Sequence, residues 1–474
     1  MAVIGSTGTG KSQLAVEVAE YAATYHQHVE AISADSMQTY EGLDVITNKA
    51  DVAEQRGVPH HLLSFLPPGH EYDVTQFVSD AQRLCNTMHA QDTWPVLVGG
   101  TTYYVQHFLF PGRLVSQVEP ADAPQRREAH QHRLEALSAD LRALWDTLGS
   151  EEVRANAAPD VDARTLWALL EALDPASASR WHYKDTRKVY RSLRILYDTG
   201  IRQSDWLAAQ DAEDREAAKP ASPRPRRLVL WVWSEREALN ARLDARIGTM
   251  IKRGLLDEIR TLRALARTQN SETDYTRGIF QAIGYKEFDA YLRYLDEGHT
   301  SEDTHAQALF AEAITAMQTA TRRYAKRQVS WIRNQLLPEI RRAEERGEEV
   351  WVYVLDATDV SQWNEQVRTP AQRIVHAFMH NEPMPDAFTL NEAASSLLPV
   401  TTSSEGRVER NRLVACDVCT RNEAQPFLIR ESERAKHEQS RTHRYALKRR
   451  TKAAYIEACK AQGKDITAAR ATRS

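Results

Sequence analysis

The sequence has few cysteines and no long apolar segment. Four cysteines occur in 474 residues, which argues against a disulfide framework and indicates a reducing compartment. No run of about 18 apolar residues is present, so the sequence predicts no membrane-spanning helix and no membrane partner. The short apolar start, residues 1–4, has no signal-peptide pattern and does not choose between the cytoplasm, the mitochondrion and the nucleus.

No excess of one charge sign distinguishes the chain as a whole, whose net charge is -4. The distribution of charge is uneven, however. From Glu405 to the end there are 17 Lys/Arg and 9 Asp/Glu, a net charge of +8, which leaves about -12 for the preceding residues. This asymmetry predicts a mildly acidic body with a basic C-terminal segment that meets a polyanion.

Short apolar segments alternate with helical ones along the first part of the chain and return near residue 350. The predicted strands are 2–4, 29–33, 95–98, 228–233 and 349–355. Strands that alternate with helices in this way predict an α/β fold in which helices cover a parallel sheet.

The sequence divides into four predicted parts. A core at 1–383 contains a helical insertion at about 115–200, where Ala, Leu, Glu and Arg are frequent. A polar, Ser/Thr-rich linker is predicted at 384–410. A small metal-binding domain at 411–450 and a basic tail at 451–474 complete the chain.

A glycine-rich loop follows the first predicted strand. Residues 5–12 read GSTGTGKS, the full G-x-x-x-x-G-K-[ST] pattern, between a strand and a helix. The glycines allow consecutive backbone N–H groups to surround phosphate oxygens, and the helix N-terminus adds a favourable dipole. Lys11 is expected to neutralise the phosphates, and the Ser12 hydroxyl to coordinate Mg²⁺. The predicted phosphate site consists of Gly5, Ser6, Thr7, Gly8, Thr9, Gly10, Lys11 and Ser12.

A phosphate loop alone is typical of NTPases and nucleotide kinases, but the motifs that follow it differ from theirs. They are DSMQTY at 35–40, VGGTTYY at 98–104, GIFQAIGYKEF at 278–288, RRYAKRQVSWIR at 322–333 and VLDATDVSQW at 354–363. In these blocks the sequence resembles the tRNA dimethylallyltransferase (isopentenyltransferase) family, particularly its eukaryotic branch. The blocks lie in order over roughly the first 380 residues, so the resemblance is specific.

The resemblance implies a reaction and a set of catalytic residues. The phosphate loop would hold dimethylallyl diphosphate instead of ATP, and the N6 amine of an adenosine adjacent to the anticodon in tRNA would attack the allylic carbon. Asp35 is the implied base for the N6 proton. Lys11, Thr101 and Arg246 are the implied groups that stabilise the departing diphosphate. Arg242, one turn before Arg246 on a predicted helix, is a second candidate for this contact.

The resemblance also implies a surface for tRNA. An adenosine of a single-stranded loop can be turned out of its stack at low cost. Tyr324 and Trp331 alternate with basic residues on one predicted helix, as expected for stacking beside phosphate contacts. His60 and His61 are interpreted as structural or RNA-facing, not as metal ligands. The predicted tRNA contacts are Ser36, Gln38, Arg322, Arg323, Lys326, Arg327 and Arg333.

Near the C-terminus, Cys416-x₂-Cys419-x₁₇-His437-x₅-His443 has the ligand types and order of a C₂H₂ zinc site. One structural Zn²⁺ would fold this small segment, which cannot build a core alone. The resemblance agrees, because eukaryotic members of the family carry such a finger. The long central spacing does not predict readout of a DNA major groove.

Three other functions stay open at this point. A P-loop kinase or NTPase would bind a nucleotide in the same loop. A non-enzymatic zinc-finger RNA-binding protein would not need Lys11, Ser12, Asp35 and Thr101, which are all intact. An adenylate-type cytokinin synthase would use free AMP, ADP or ATP as the acceptor, whereas the finger and the basic helix favour tRNA. We expect the protein to act as a monomer.

Overall fold

A computed structural model describes residues 1–110, 122–148, 161–209, 226–268, 275, 277–398, 413–420, 427–431, 434–441 and 443–451. The chain forms two compact units: unit 1 comprises Met1–Leu114 and Ala218–Val400, and unit 2 comprises Val115–Ala217 and Thr401–Ser474. The end of the predicted linker, from residue 399, and the predicted basic tail beyond residue 451 lie outside the described residues. Within the described ranges, none of the helices combines the length and apolar composition of a membrane span.

Unit 1 is built on a six-stranded sheet in which every neighbouring pair of strands is parallel. The order across the sheet is β3-β2-β4-β1-β5-β6. The predicted α/β class is therefore confirmed, and all five predicted strands are present. The additional strand, β3, is formed by the two histidines of the sequence HH and pairs with β2. The strands are β1 Ala2–Gly5, β2 His28–Ser33, β3 His60–His61, β4 Thr93–Gly99, β5 Arg227–Trp233 and β6 Val350–Asp356.

Helices cover both faces of this sheet, which explains why the central strands read as continuous apolar runs. One face packs against the helices Val74–Ala90 and Thr102–Leu109. The other packs against Lys11–Ala23, here called the phosphate-loop helix, and Thr369–Met379. With both faces covered, side chains of the central strand β1 are buried whichever way they point.

Two further helices of unit 1 contribute to the candidate site. We call Arg236–Lys252 the arginine helix and Thr304–Trp331 the long helix. One π-helical turn, Ile332–Leu336, continues the long helix. The remaining helices of unit 1 are Val52–Gln55, Leu255–Thr268, Asp289–Asp296, Leu337–Glu345 and Glu392–Leu397.

The structure differs from the predicted linker over residues 384–398. This segment ends in the helix Glu392–Leu397, which the Asn391 side chain caps by accepting a bond from the N–H of Ala394 at 2.8 Å. The Asn391 amide also donates to the carbonyl of Val354 in β6 at 2.9 Å. Ala394 and Leu398 are fully buried in the core. The many Ser and Thr residues obscured this short apolar spacing.

Unit 2 contains a helical bundle and a small finger. The predicted amphipathic repeat at 164–173 forms the helix Ala163–Leu173, whose leucines are buried against Thr186–Thr199. Two antiparallel strands, β7 Leu413–Ala415 and β8 Leu428–Arg430, form the hairpin of the finger. Other helices among the described residues of unit 2 include Ala123–Glu135, Ala139–Thr147, Pro175–Ala178 and Arg434–Glu438.

Candidate active site and metal centre

Four segments of unit 1, each following a strand, meet at the carboxyl edge of the sheet. The phosphate loop follows β1, the segment with Asp35 follows β2, the segment with Thr101 follows β4, and the arginine helix follows β5. Because these strands are parallel, their carboxyl ends lie on the same edge, which is where open α/β sheets bind ligands. The topology therefore brings the predicted catalytic residues together.

The phosphate loop has a backbone shape that glycine permits. Gly10 has a φ of 91°, in the left-handed region, and a Cβ there would lie 2.5 Å from the Trp363 ring. The same indole donates from Nε1 to the buried carboxylate of Glu17, on the phosphate-loop helix, at 2.9 Å. Within the loop, the Thr9 hydroxyl donates to the Ser6 carbonyl at 2.9 Å. The loop is thus held open, with the helix N-terminus directly behind it.

Two cations lie at this loop. The Lys11 ammonium donates to the Ser6 carbonyl at 2.8 Å. Burial lowers the pKa of Lys11 to about 8, although the Asp35 carboxylate acts in the opposite direction. The Arg246 guanidinium donates from Nη2 to the Thr7 hydroxyl at 3.0 Å, and burial lowers its pKa to about 10. Both cations are partly desolvated and available to an anion.

The structure distinguishes between the two arginine candidates. Arg242 donates to the Ser234 hydroxyl and interacts electrostatically with Asp356 at the end of β6. Arg246, one turn later, is the one that contacts the phosphate loop. The Nε atoms of both arginines are shielded from water without a hydrogen-bond partner, so the contact with Thr7 is what separates them. This geometry favours Arg246 as the diphosphate ligand.

Asp35 lies just beyond the end of β2. Its Oδ1 accepts a hydrogen bond from the N–H of Met37 at 3.0 Å. Burial raises the pKa of the Asp35 carboxyl, while backbone N–H groups and the Lys11 charge oppose that increase. A carboxylate that is desolvated but still paired with a cation is a stronger base than one in water. Asp35 is therefore suited to accept a proton.

Thr101 lies beside the Asp35 segment. Its Oγ1 accepts from the N–H of Ser36 at 3.0 Å and lies 3.2 Å from the Ser36 hydroxyl. The N–H of Thr101 donates to the carbonyl of Ala34 at 3.1 Å. The two segments that carry Asp35 and Thr101 are thus joined by three contacts.

Two residues of the long helix belong to this site, although sequence reasoning did not assign them to it. The Gln328 amide accepts from the N–H of Thr7 and donates to the carbonyl of Gly100, both at 2.8 Å. The Tyr324 hydroxyl interacts with the side chains of Thr101 and Gln328. Burial raises the pKa of Tyr324. In the sequence RRYAKRQVSWIR, Tyr324 and Gln328 are four residues apart, which places them on the same face of a helix. This spacing was the signal that could have assigned both residues to one site.

The predicted tRNA contacts on the long helix divide into two groups. Arg322 makes a bidentate pair with Asp244 of the arginine helix, at 2.6 and 2.8 Å. Trp331 donates from Nε1 to Gln106 at 2.8 Å, and the stacking of Tyr324 and Trp331 on RNA stays a prediction. The exposed cations are Arg323, Lys326, Arg327 and Arg333.

The other two predicted tRNA contacts are partly buried beside the base candidate. Ser36 is next to Thr101, as described above, and the Gln38 amide donates to the carbonyls of Thr47 and Asn48 at 3.2 and 3.1 Å. His60 and His61 lie in the edge strand β3, where the ring of His61 lies 2.7 Å from the Glu30 carboxylate. The geometry agrees with a structural role for these histidines.

The four predicted metal ligands converge in the finger of unit 2. The ligand atoms of Cys416, Cys419, His437 and His443 all lie within 4.8 Å of one another. The five separations that involve a histidine nitrogen run from 3.1 Å, between His443 Nδ1 and His437 Nε2, to 3.7 Å, between Cys419 Sγ and His443 Nδ1. Tetrahedral Zn²⁺ with bonds of about 2.3 Å to sulfur and 2.0–2.1 Å to nitrogen requires separations of about 3.3–3.8 Å. The arrangement can therefore hold a metal ion of this kind.

Residues 38–335 match the family model described as IPP transferase, a range that includes Thr101, Arg246 and Gln328. The chain belongs to this family. Among its relatives, the tRNA dimethylallyltransferase of Schizosaccharomyces pombe is 32% identical over 94% of this chain and 94% of its own length. The tRNA dimethylallyltransferase of Homo sapiens is 32% identical over 94% of this chain and 85% of its own length.

The chain is also similar to a solved structure, that of a eukaryotic dimethylallyltransferase acting on tRNA. The two sequences are 29% identical, and the structures superpose with a TM-score of 0.70. The alignment covers 97% of this chain and 98% of that one. The similarity therefore extends over both units and is not limited to the parallel sheet.

Proposed function

We propose that the protein transfers a dimethylallyl group from dimethylallyl diphosphate to N6 of an adenosine adjacent to the anticodon in tRNA, releasing diphosphate. The observation that carries this proposal is the position of Asp35, a desolvated carboxylate that interacts with the phosphate-loop lysine. A base beside the phosphate loop can take the proton that the attacking amine loses. Family membership supports the same reaction.

The phosphate loop, Lys11 and Arg246 would bind the diphosphate. Lys11 and Arg246 are both partly buried cations, so an anion placed between them gains more than it would at an exposed surface. Their charge also stabilises the negative charge that builds on the leaving group as its bond to the allylic carbon breaks. Thr101 would add a hydrogen bond from the opposite side of the site.

Asp35 would act on the acceptor. As the bond between N6 and the allylic carbon forms, the amine becomes positively charged and loses a proton to the Asp35 carboxylate. Lys11 and the backbone N–H groups favour the ionised form of this carboxylate and oppose the effect of burial, which raises its pKa. The products are N6-dimethylallyladenosine in the tRNA, diphosphate and a proton held by Asp35.

The donor set at the loop fits Mg²⁺. Ser12 is the second residue of the phosphate-loop helix, next to Lys11, and its hydroxyl offers a hard oxygen ligand. Mg²⁺ commonly takes one or two protein ligands and completes its shell with phosphate oxygens and water. Ser12 would hold the ion, which would supply additional positive charge to the diphosphate.

The finger would hold one structural Zn²⁺ through Cys416, Cys419, His437 and His443, as their separations allow. The exposed cations of the long helix, Arg323, Lys326, Arg327 and Arg333, would contact tRNA phosphates. Such contacts are sequence-independent and weaken with salt. We further propose that the protein acts as a monomer, in the cytoplasm, the mitochondrion or the nucleus.

Incubation with unmodified total tRNA and labelled dimethylallyl diphosphate tests the proposal. Nucleoside analysis should find the label in N6-dimethylallyladenosine, and ATP should not replace the allylic donor. Turnover of ATP without label in the tRNA would instead identify an NTPase. Binding of tRNA without transfer would identify a non-enzymatic RNA-binding protein.

A further inference from the structure

We propose that Gln328 is a positioning residue that fixes the phosphate loop relative to the loop beside the catalytic base. This inference rests on the proposed function, because it concerns the alignment of the two reactants. Gln328 lies on the inner side of the long helix and is 4% exposed. It reaches both loops with a single side chain.

The two bonds of Gln328 use both ends of its amide. Oε1 accepts from the N–H of Thr7, in the phosphate loop, at 2.8 Å. Nε2 donates to the carbonyl of Gly100, next to Thr101, at 2.8 Å. Gln328, Thr7 and Gly100 are far apart in sequence, so no local turn can replace this connection. At a buried position, the loss of either bond leaves a polar backbone group without a partner.

The neighbours of Gly100 show that Gln328 lies beside Asp35, the proposed base. A Cβ on Gly100 would lie 2.4 Å from Gln328 Nε2 and 3.5 Å from Asp35 Oδ2. Gly100 is therefore confined between these two side chains. The Gln328 amide thus sets the distance between the phosphate loop and the Asp35 carboxylate, which takes the N6 proton in the proposed reaction. Misplacement of reacting groups by about 1 Å can lower a rate about 10²-fold.

The long helix gives this amide a rigid support. The Tyr324 hydroxyl, one turn earlier, interacts with the side chains of Thr101 and Gln328 itself. Ala325, between them in sequence, packs with Leu239 and Leu243 of the arginine helix. The long helix therefore contacts three of the four segments at the site: the phosphate loop, the segment with Thr101 and the arginine helix. Of its exposed cations, Arg327 lies over the Tyr324 ring, 5.9 Å from the ring centroid.

Two substitutions separate positioning from simple packing. Gln328→Met keeps a similar volume and removes both hydrogen bonds. Gln328→Glu can still form both bonds when its carboxyl is protonated, but the ionised form cannot donate to Gly100 and lies near the Asp35 carboxylate. Burial and this neighbouring charge raise the pKa of the introduced acid. Gln307→Met and Gln307→Glu, at an exposed position of the same helix, are the matched controls.

The experiment measures kcat/KM for tRNA from pH 5.5 to 8.5 as a ratio to the unsubstituted protein, and the affinity for inorganic pyrophosphate. For Gln328→Met we expect a ratio of about 0.01–0.1 at every pH, and pyrophosphate binding weakened about tenfold. For Gln328→Glu we expect a ratio that falls at least tenfold as the pH rises. The charged groups around the substituted position, Asp35, Lys11, Tyr324, Arg246 and Arg327, are present in every variant. The ratio therefore reports what the introduced carboxyl adds, including the change that it causes in the pKa of Asp35.

The outcomes are distinguishable. A ratio for Gln328→Glu that does not depend on pH, or one shared by Gln307→Glu, would overturn the positioning role. Unchanged pyrophosphate affinity in Gln328→Met would do the same. If Gln328→Met does not fold, as shown by thermal unfolding, the pH profile of Gln328→Glu decides alone. If the unsubstituted protein transfers no prenyl group, the proposed function fails, and the pyrophosphate affinities still test the role of Gln328.

Discussion

Arg246 carries a positive charge into the protein without a carboxylate to neutralise it. Among the described residues its one polar side-chain contact is the Thr7 hydroxyl, and its Nε is shielded from water without a partner. An uncompensated buried charge destabilises a fold. We therefore predict that Arg246→Met makes the ligand-free protein more stable, while it removes a main contact to the diphosphate.

The size of this effect follows from the ionisation of Arg246. Burial lowers its pKa to about 10, and each pKa unit corresponds to about 1.4 kcal/mol. The lowering of this pKa from 12.5 to about 10 then sets the full cost of the cation at neutral pH to at most about 3.5 kcal/mol. Some solvent reaches the side chain, so we expect Arg246→Met to stabilise the ligand-free protein by about 1–2 kcal/mol.

Thermal unfolding with and without inorganic pyrophosphate measures both consequences. In the unsubstituted protein, pyrophosphate at 100 times its Kd should add about 2.7 kcal/mol. In Arg246→Met this increase should be largely lost, and kcat for transfer should fall about 10²–10³-fold. The control is Arg236→Met, an exposed arginine of the same helix. A less stable Arg246→Met protein with an unchanged response to pyrophosphate would refute the reasoning.

Three further predictions concern the other groups of the site. Asp35→Asn keeps the size of the side chain but removes the base, so turnover should fall about 10²–10⁴-fold with little change in tRNA binding; near-normal turnover would exclude Asp35 from the mechanism. Because the pKa of Lys11 is lowered to about 8, the cation is present below that pH and lost above it. A pH profile of kcat/KM for dimethylallyl diphosphate should therefore decline as the pH rises through about 8, and a flat profile to pH 9 would contradict this assignment. Cys416→Ser should unfold the finger, raise KM for tRNA and weaken its salt dependence, while KM for dimethylallyl diphosphate stays close to normal; a large change in the latter would mean that the finger contributes to the active site.

Local patterns predicted the sheet and most of the candidate site. The phosphate loop, Asp35 and Thr101 each follow an apolar strand, and parallel strands place such residues at one edge. The cysteine and histidine spacing of the finger likewise predicted convergence of the four ligands. These predictions succeeded because each depends on residues that are close in sequence or on the common direction of the strands.

Contacts between distant segments could not be predicted in the same way. Nothing local indicates that Gln328 meets Thr7 and Gly100, which are more than 200 residues away. A basic helix with aromatic residues also looks the same whether Tyr324 and Trp331 face RNA or the protein interior. The choice depends on which neighbours the fold supplies. The segment 384–398 was misread as linker for a related reason, because its polar composition hid a few well-spaced apolar residues.

The most direct test of the central claim compares two tRNA transcripts that differ in one base. One carries adenosine adjacent to the anticodon, and the other carries guanosine, which has no N6 amine, at the same position. With labelled dimethylallyl diphosphate and Mg²⁺, the first should accept about one prenyl group per tRNA and release an equal amount of diphosphate, and the second should accept none. Equal labelling of both transcripts, or diphosphate release without labelled adenosine, would contradict the proposed reaction.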